Sequence, residues 1–163
     1  MILGMSTSTF TFVHVLISLV GIGSGLVVMF GLLGGKRLDG WTSIFLGSTV
    51  LTSVTGFFFP VEHLMPSHIL GVMSLAVLAV AILARYSFRL AGVWRRTYVI
   101  TALIGLYFNV FVAVVQAFEK IPALKALAPT QKEPPFLVAQ LTVLAIFIVL
   151  TVRATMRFRT VPA

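Results

Sequence analysis

Residues 9–33 read TFTFVHVLISLVGIGSGLVVMFGLL, a stretch without proline and without any acidic residue, lysine or arginine. The hydrocarbon core of a bilayer takes about 20 apolar helical residues, with a working range of ~17–25. Four further stretches have the same character, at 41–59, 67–84, 97–118 and 136–152. Backbone groups cannot stay unpaired in lipid, so each stretch predicts a helix. We therefore expect an all-α, polytopic integral membrane helix bundle, with five transmembrane helices in a single domain over residues 1–163.

The composition excludes several classes of protein. The chain is 59% hydrophobic and 10% charged, whereas soluble domains are about 25% charged and roughly 45–50% apolar. A soluble globular enzyme is excluded, because too little polar surface is present to cover a core. A disordered chain is excluded by the same high apolar share. The chain has no cysteine, which excludes disulfides and thiolate-bound metals.

The positions of the basic residues predict the topology. If the five stretches alternate in direction, nine of the twelve lysines and arginines fall on one side of the membrane. These nine are Lys36, Arg37, Arg85, Arg89, Arg95, Arg96, Arg153, Arg157 and Arg159. The positive-inside rule then places the N-terminus outside and the C-terminus inside (N-out/C-in). The expected partner is the lipid bilayer and not nucleic acid, because the arginines flank helix ends where anionic headgroups lie.

The remaining lysines lie in an outer loop at 119–135, between the fourth and fifth stretches. Within this loop, residues 121–127 predict a short helix at the membrane interface.

Small and polar residues indicate which helix faces pack against protein. His14, Ser18, Gly21 and Gly25 are four, three and four residues apart and share one stripe of the first helix. Gly21 and Gly25 form a GxxxG pair, which permits close approach of a neighbouring backbone. Gly105 lies on a comparable stripe of the fourth helix. We expect these residues to face other helices.

All three histidines are predicted near the outer face. His14 lies in the first helix, and His63 and His68 lie on either side of the start of the third, with Glu62 beside them. Ionisable groups in membrane proteins are candidates for functional sites, and imidazole is a common ligand of metals and of haem iron. Two imidazoles, such as His14 and His68, would suit haem b, and the four residues together would suit a transition metal. A structural or proton-linked role for the histidines is the third interpretation, and the spacing favours it.

Three amides, Asn109, Gln116 and Gln140, are expected to complete a polar pocket in the outer leaflet. The leading hypothesis is an accessory or assembly-type membrane protein whose pocket binds a small ligand, a metal or haem. A small oligomeric transporter or channel is the alternative, and a haem b redox protein is the second alternative. A homo-oligomer or a larger membrane complex is the expected assembly.

Five short segments carry a resemblance to a known group of proteins. They are residues 59–63 (FPVEH), 66–68 (PSH), 84–86 (ARY), 109–112 (NVFV) and 128–131 (APTQ). With these segments the chain resembles small hypothetical inner-membrane proteins of Gram-negative bacteria, a group to which no activity is attached. The resemblance implies a bacterial inner membrane, in which the external N-terminus is periplasmic, and it implies no mechanism. The chain is also similar to small haem-binding membrane cytochromes in having histidines near the outer face.

Overall fold

The computed structural model describes residues 1–60 and 66–159, and within these two ranges the chain forms helices and no strand. The elements are α1 Thr7–Leu33, α2 Asp39–Gly56, α3 Pro66–Ile82, a π-helical turn Leu83–Ser87, α4 Val93–Lys120, α5 Pro122–Leu127 and α6 Pro134–Arg157. The expectation of an all-helical fold is confirmed for the described residues. The short helix expected at 121–127 is present as α5.

Four helical segments of the described chain are long and apolar enough to cross a membrane. They are Thr7–Leu33, Pro66–Ser87, Val93–Lys120 and Pro134–Arg157. The chain therefore has the build of a multi-pass membrane protein. The fifth predicted span, 41–59, corresponds to α2, which is shorter than the other four and ends at Gly56. Its lower hydropathy comes from Asp39 and from seven serines and threonines.

The helix boundaries follow local chemistry. The Ser6 hydroxyl accepts a hydrogen bond of 3.1 Å from the Thr9 backbone N–H and caps α1. Pro122 and Pro134 begin α5 and α6, where the missing N–H of proline has no helical partner to lose. Helix α4 begins at Val93, four residues before the predicted span, and includes two arginines. The charges that end an apolar stretch do not end a helix, because arginine is a good helix former.

One end of the bundle, which we call the histidine end, joins the start of α1 to the end of α2. His14 Nδ1 lies 2.7 Å from Thr55 Oγ1. At the same end the Phe118 and Phe136 rings are in edge contact, with centroids 5.3 Å apart, so the end of α4 meets the start of α6.

The other end, which we call the arginine end, joins the start of α2 to the π-helical turn and the start of α4 to the end of α6. Arg85 pairs with Asp39, and Arg95 Nη1 donates to the Thr155 carbonyl at 3.3 Å. With the contacts at the histidine end, these pairs show that α1, α2, α3, α4 and α6 alternate in direction.

Two glycines allow the closest helix contacts in the core. A Cβ atom on Gly25 of α1 would lie 2.6 Å from Leu106 Cδ1 of α4 and 2.9 Å from the Phe45 ring of α2. A Cβ atom on Gly105 of α4 would lie 2.9 Å from Leu78 Cδ2 of α3. Helices α1, α2, α3 and α4 therefore pack closely because these positions carry no side chain.

Candidate functional site in the bundle interior

Four polar side chains from α1, α2 and α4 converge beside Gly21. Ser18 Oγ donates to Asn109 Oδ1 at 3.3 Å, which joins α1 to α4. The position that a Cβ atom on Gly21 would take lies 3.0 Å from Asn109 Nδ2, 3.1 Å from Thr49 Oγ1 and 3.3 Å from Ser48 Oγ. We call Ser18, Ser48, Thr49 and Asn109 the inner polar cluster. The cluster exists because Gly21 has no side chain to separate these groups.

Two atoms of the inner polar cluster are buried without a hydrogen-bond partner in the described part of the chain. They are Asn109 Nδ2 and Thr49 Oγ1, on side chains that are 7% and 1% exposed. An unsatisfied buried polar group costs about 1–3 kcal/mol. The amide N–H₂ is a donor and the hydroxyl both donates and accepts. A molecule with an acceptor oxygen, such as water or a small alcohol, has the chemistry to satisfy both atoms.

The inner polar cluster lies near the midpoint of its three helices. Gly21, Thr49 and Asn109 are each close to the middle residue of α1, α2 and α4. This depth differs from the outer-leaflet pocket that we expected to contain Asn109. Asn109 faces α1 and α2, and its depth in the bundle depends on how far each helix extends.

Polar contacts continue from the inner polar cluster toward the histidine end. His14 lies one helical turn before Ser18 on α1 and contacts the Thr55 hydroxyl of α2. When that hydroxyl donates to the Leu51 carbonyl, 2.7 Å away, it accepts from His14 Nδ1–H. In this arrangement the imidazole proton is on Nδ1, and Nε2 is an acceptor. The imidazole also packs edge-on against the Phe59 ring, with centroids 5.1 Å apart.

The other predicted pocket residues lie apart from this cluster. Gln140 Nε2 of α6 donates to the Phe111 carbonyl of α4 at 3.3 Å, and Gln116 Nε2 lies 3.4 Å from a Glu119 carboxylate oxygen near the surface. The Gln140 contact joins α4 and α6, whereas the Gln116 contact lies within α4. Neither amide bonds a residue of the inner polar cluster.

The predicted histidine site is only partly described, because the structure describes His14 and His68 and not His63. The His68 ring packs against the Phe57 ring, with centroids 5.7 Å apart, while His14 packs against Phe59. Glu62 and His63, also predicted as ligands, lie outside the described residues.

The described residues support neither the metal site nor the haem site considered above. In residues 1–60 and 66–159, no three histidine or carboxylate side chains are grouped closely enough to hold a metal ion. A macrocycle beside Gly25 would overlap Leu106 and Phe45, which occupy the space left by the missing side chain. The glycine stripe serves helix packing and not clearance for a cofactor.

A buried arginine is the feature that sequence reasoning missed. Arg85, treated above as one of the arginines at helix ends, is 1% exposed. Its guanidinium pairs with Asp39 and lies over the Tyr98 ring, 5.2 Å from the centroid. The π-helical turn Leu83–Ser87 carries it. Asp39, an isolated acidic residue among basic neighbours, was the one signal in the sequence for such a partner.

The inner polar cluster offers neutral hydrogen-bonding groups at the centre of the bundle. It has the chemistry to bind an uncharged polar molecule. Comparison with protein-family models, curated proteins and solved structures finds no match to this chain.

Proposed function

We propose that this chain is a five-span protein of the bacterial inner membrane, with its N-terminus in the periplasm and its C-terminus in the cytoplasm. Helix α2 supplies the fifth crossing. Its 18 residues span about 27 Å at a rise of 1.5 Å per residue, close to the hydrocarbon thickness of about 30 Å.

The hydroxyl groups of α2 support this crossing. Each hydroxyl that bonds a carbonyl one turn earlier in its own helix is satisfied without water. These bonds are Ser48 to Ile44 at 2.6 Å, Thr52 to Ser48 at 2.9 Å, Ser53 to Thr49 at 3.0 Å and Thr55 to Leu51 at 2.7 Å. A helix with internally bonded hydroxyls is tolerated in lipid, because its polar groups keep a partner.

Contacts at the arginine end support the orientation. Arg85 and Arg95, from different loops, both lie at this end through their bonds to Asp39 and Thr155. A concentration of basic residues at one end of the helices is typical of the cytoplasmic face.

Labelling of single cysteines tests both the number of crossings and the orientation. The chain has no cysteine, so Lys36→Cys, Arg89→Cys and Lys132→Cys each carry one thiol. With five crossings and an external N-terminus, a membrane-impermeant maleimide labels only Lys132→Cys in intact cells. The other two variants react only after the inner membrane is permeabilised. Four crossings, with α2 outside the bilayer core, would instead place positions 36 and 132 on the same side and contradict the proposal.

We propose further that the protein is an accessory membrane protein that holds a small uncharged polar ligand in the inner polar cluster. The observation that carries this is the convergence of two buried, unpartnered atoms, Asn109 Nδ2 and Thr49 Oγ1, on one point beside Gly21. Polar residues inside a membrane bundle are candidates for functional sites. The space is small, since even a methyl group on Gly21 would be tight, so water or a ligand hydroxyl is the favoured occupant.

Thiol accessibility tests whether the inner polar cluster is hydrated. We expect Ser18→Cys to react with a small water-soluble methanethiosulfonate reagent at least about tenfold faster than Leu19→Cys, because a thiolate forms poorly in apolar surroundings. Leu19 is the matched control, since it is the next residue of α1 and faces outward from the bundle. The rate is measured by mass spectrometry of protein in lipid nanodiscs.

Adding Gly21→Ala to Ser18→Cys is expected to slow the reaction, because the methyl group enters the space between the polar groups. Equal, slow labelling of Ser18→Cys and Leu19→Cys would show a dry interface. In that case the inner polar cluster only holds helices together, and the binding proposal is wrong.

A small transporter is the second candidate, and one observation favours it. The His14–Thr55 contact extends the polar groups from the inner polar cluster toward the histidine end. If this is a route for solute, proteoliposomes take up glycerol faster than protein-free liposomes, and Asn109→Leu abolishes the difference. Glycerol uptake equal to that of empty liposomes would contradict transport of this solute. The accessory role would then stand as the remaining proposal.

A further inference from the structure

A basic recess lies at the arginine end, between the start of α4 and the end of α6. Its volume is about 610 Å³, and it is lined by Arg95, Arg96, Ile100, Thr155, Met156 and Arg159. Three of these six residues are arginines, and none is acidic. Arg95 Nη1 donates to the Thr155 carbonyl, which fixes one wall of the recess. The recess therefore presents positive charge without a carboxylate among its lining residues.

The recess continues into an apolar groove between the same two helices. This groove has a volume of about 300 Å³ and shares Ile100 and Thr155 with the recess. From Ile100 it extends along α4 to Tyr107, and on the α6 side residues from Phe147 to Thr155 line it. Seven residues of α-helix correspond to about 10 Å, so the groove runs from the helix end toward the middle of the bundle.

We infer that one anionic phospholipid binds here, with its phosphate among Arg95, Arg96 and Arg159 and an acyl chain along the groove from Ile100 to Tyr107. The charge and the shape of the two parts select this occupant. Arginine pairs with phosphate through several N–H donors, and basic pockets between membrane helices bind anionic headgroups. A free phosphate ion would use the recess and leave the adjoining groove empty.

The start of α4 strengthens the attraction for phosphate. Gly92 precedes α4 and provides no side-chain cap, so the first N–H groups of the helix are not bonded to a capping side chain. The positive end of the helix dipole adds to the charge of the arginines. The carbonyl end of α6 opposes this, and its bond to Arg95 offsets part of that negative potential. The site does not depend on the inner polar cluster, which lies between α1, α2 and α4.

Native mass spectrometry of detergent-purified protein titrated with phosphatidylglycerol or phosphatidylcholine tests the site. We expect wild type to retain phosphatidylglycerol in preference to phosphatidylcholine. Arg96→Gln/Arg159→Gln should weaken phosphatidylglycerol binding by about tenfold or more, as two phosphate contacts are lost. Arg89→Gln/Arg153→Gln is the matched control, because it removes the same charge at the same end without altering residues that line the recess.

A groove variant separates a lipid from a phosphate ion. Thr151 lines the apolar groove and not the recess, so Thr151→Trp fills the path of the acyl chain while the arginines remain. We expect this variant to lose phosphatidylglycerol, and excess inorganic phosphate not to displace the lipid from wild type. Equal losses in the two double-arginine variants, unchanged binding in Thr151→Trp, or displacement by inorganic phosphate would each overturn the proposal. Unchanged circular dichroism in every variant establishes that folding is intact.

Discussion

Gly25→Ala is expected to destabilise the bundle by about 1–3 kcal/mol, the usual range for overpacking a core. The added methyl group would lie 2.6 Å from Leu106 Cδ1 and 2.9 Å from the Phe45 ring. Both of those side chains are completely buried, so neither can move aside without displacing further neighbours. The measurement is the free energy of unfolding in mixed detergent micelles, or the thermal midpoint where unfolding is irreversible.

Gly23→Ala is the matched control in the same helix. No atom of the described chain lies within 4 Å of the position that its Cβ would take. Alanine in a helix interior is favoured over glycine by roughly 0.5–1 kcal/mol, so this variant should be as stable as wild type or slightly more stable. A comparable loss in the two variants would mean that Gly25 does not sit at a close contact between α1, α2 and α4.

Helix positions followed from the sequence because lipid imposes a simple rule on the chain. A stretch without charges and long enough to cross the bilayer predicts α1, α4 and α6, and the structure has helices there. The ends are less predictable, since hydropathy reports where lipid begins and not where hydrogen bonding stops. Helix α4 continues through Arg95 and Arg96 for this reason, and α2 stops at Gly56 although its apolar residues continue to Phe59.

The inner polar cluster could be predicted only in part. Helical spacing places His14, Ser18 and Gly21 on one stripe, and it identifies Asn109 as a polar residue in an apolar helix. Which helix faces that stripe depends on the order and rotation of the helices around the bundle. Thr49 was therefore one of seven hydroxyl residues in α2, with no sign that it would lie beside Gly21.

Arg85 shows the limit of reading charge from position alone. An arginine that ends an apolar stretch usually extends its head to the membrane surface. Here the π-helical turn changes the direction of the side chain, and Asp39 from the start of α2 supplies its partner. A π-helical turn has no clear signature in one sequence, so the burial of this charge could not be foreseen.

Asp39→Ala is expected to lower the free energy of unfolding by about 1–3 kcal/mol, because it leaves the buried Arg85 guanidinium without its counter-charge. The loss is smaller than for a fully buried pair, since the Asp39 side chain is 71% exposed and solvent screens its charge. The Tyr98 ring, 5.2 Å from the guanidinium carbon, remains as a weaker partner. Arg85→Met combined with Asp39→Ala should recover most of the loss, since methionine fills similar space and buries no charge. The double variant therefore separates an unpaired charge from a general defect at the start of α2.

Arg37→Met provides the control, because Arg37 contacts the same Asp39 oxygen at 2.9 Å with a side chain that is 54% exposed. An exposed ion pair contributes about 0–1 kcal/mol, so we expect little change. The two arginines share one carboxylate and differ mainly in burial, and burial removes the water that would otherwise replace the lost partner. If Asp39→Ala and Arg37→Met lower stability by the same small amount, Arg85 is hydrated when unpaired, and its burial does not make the pair essential.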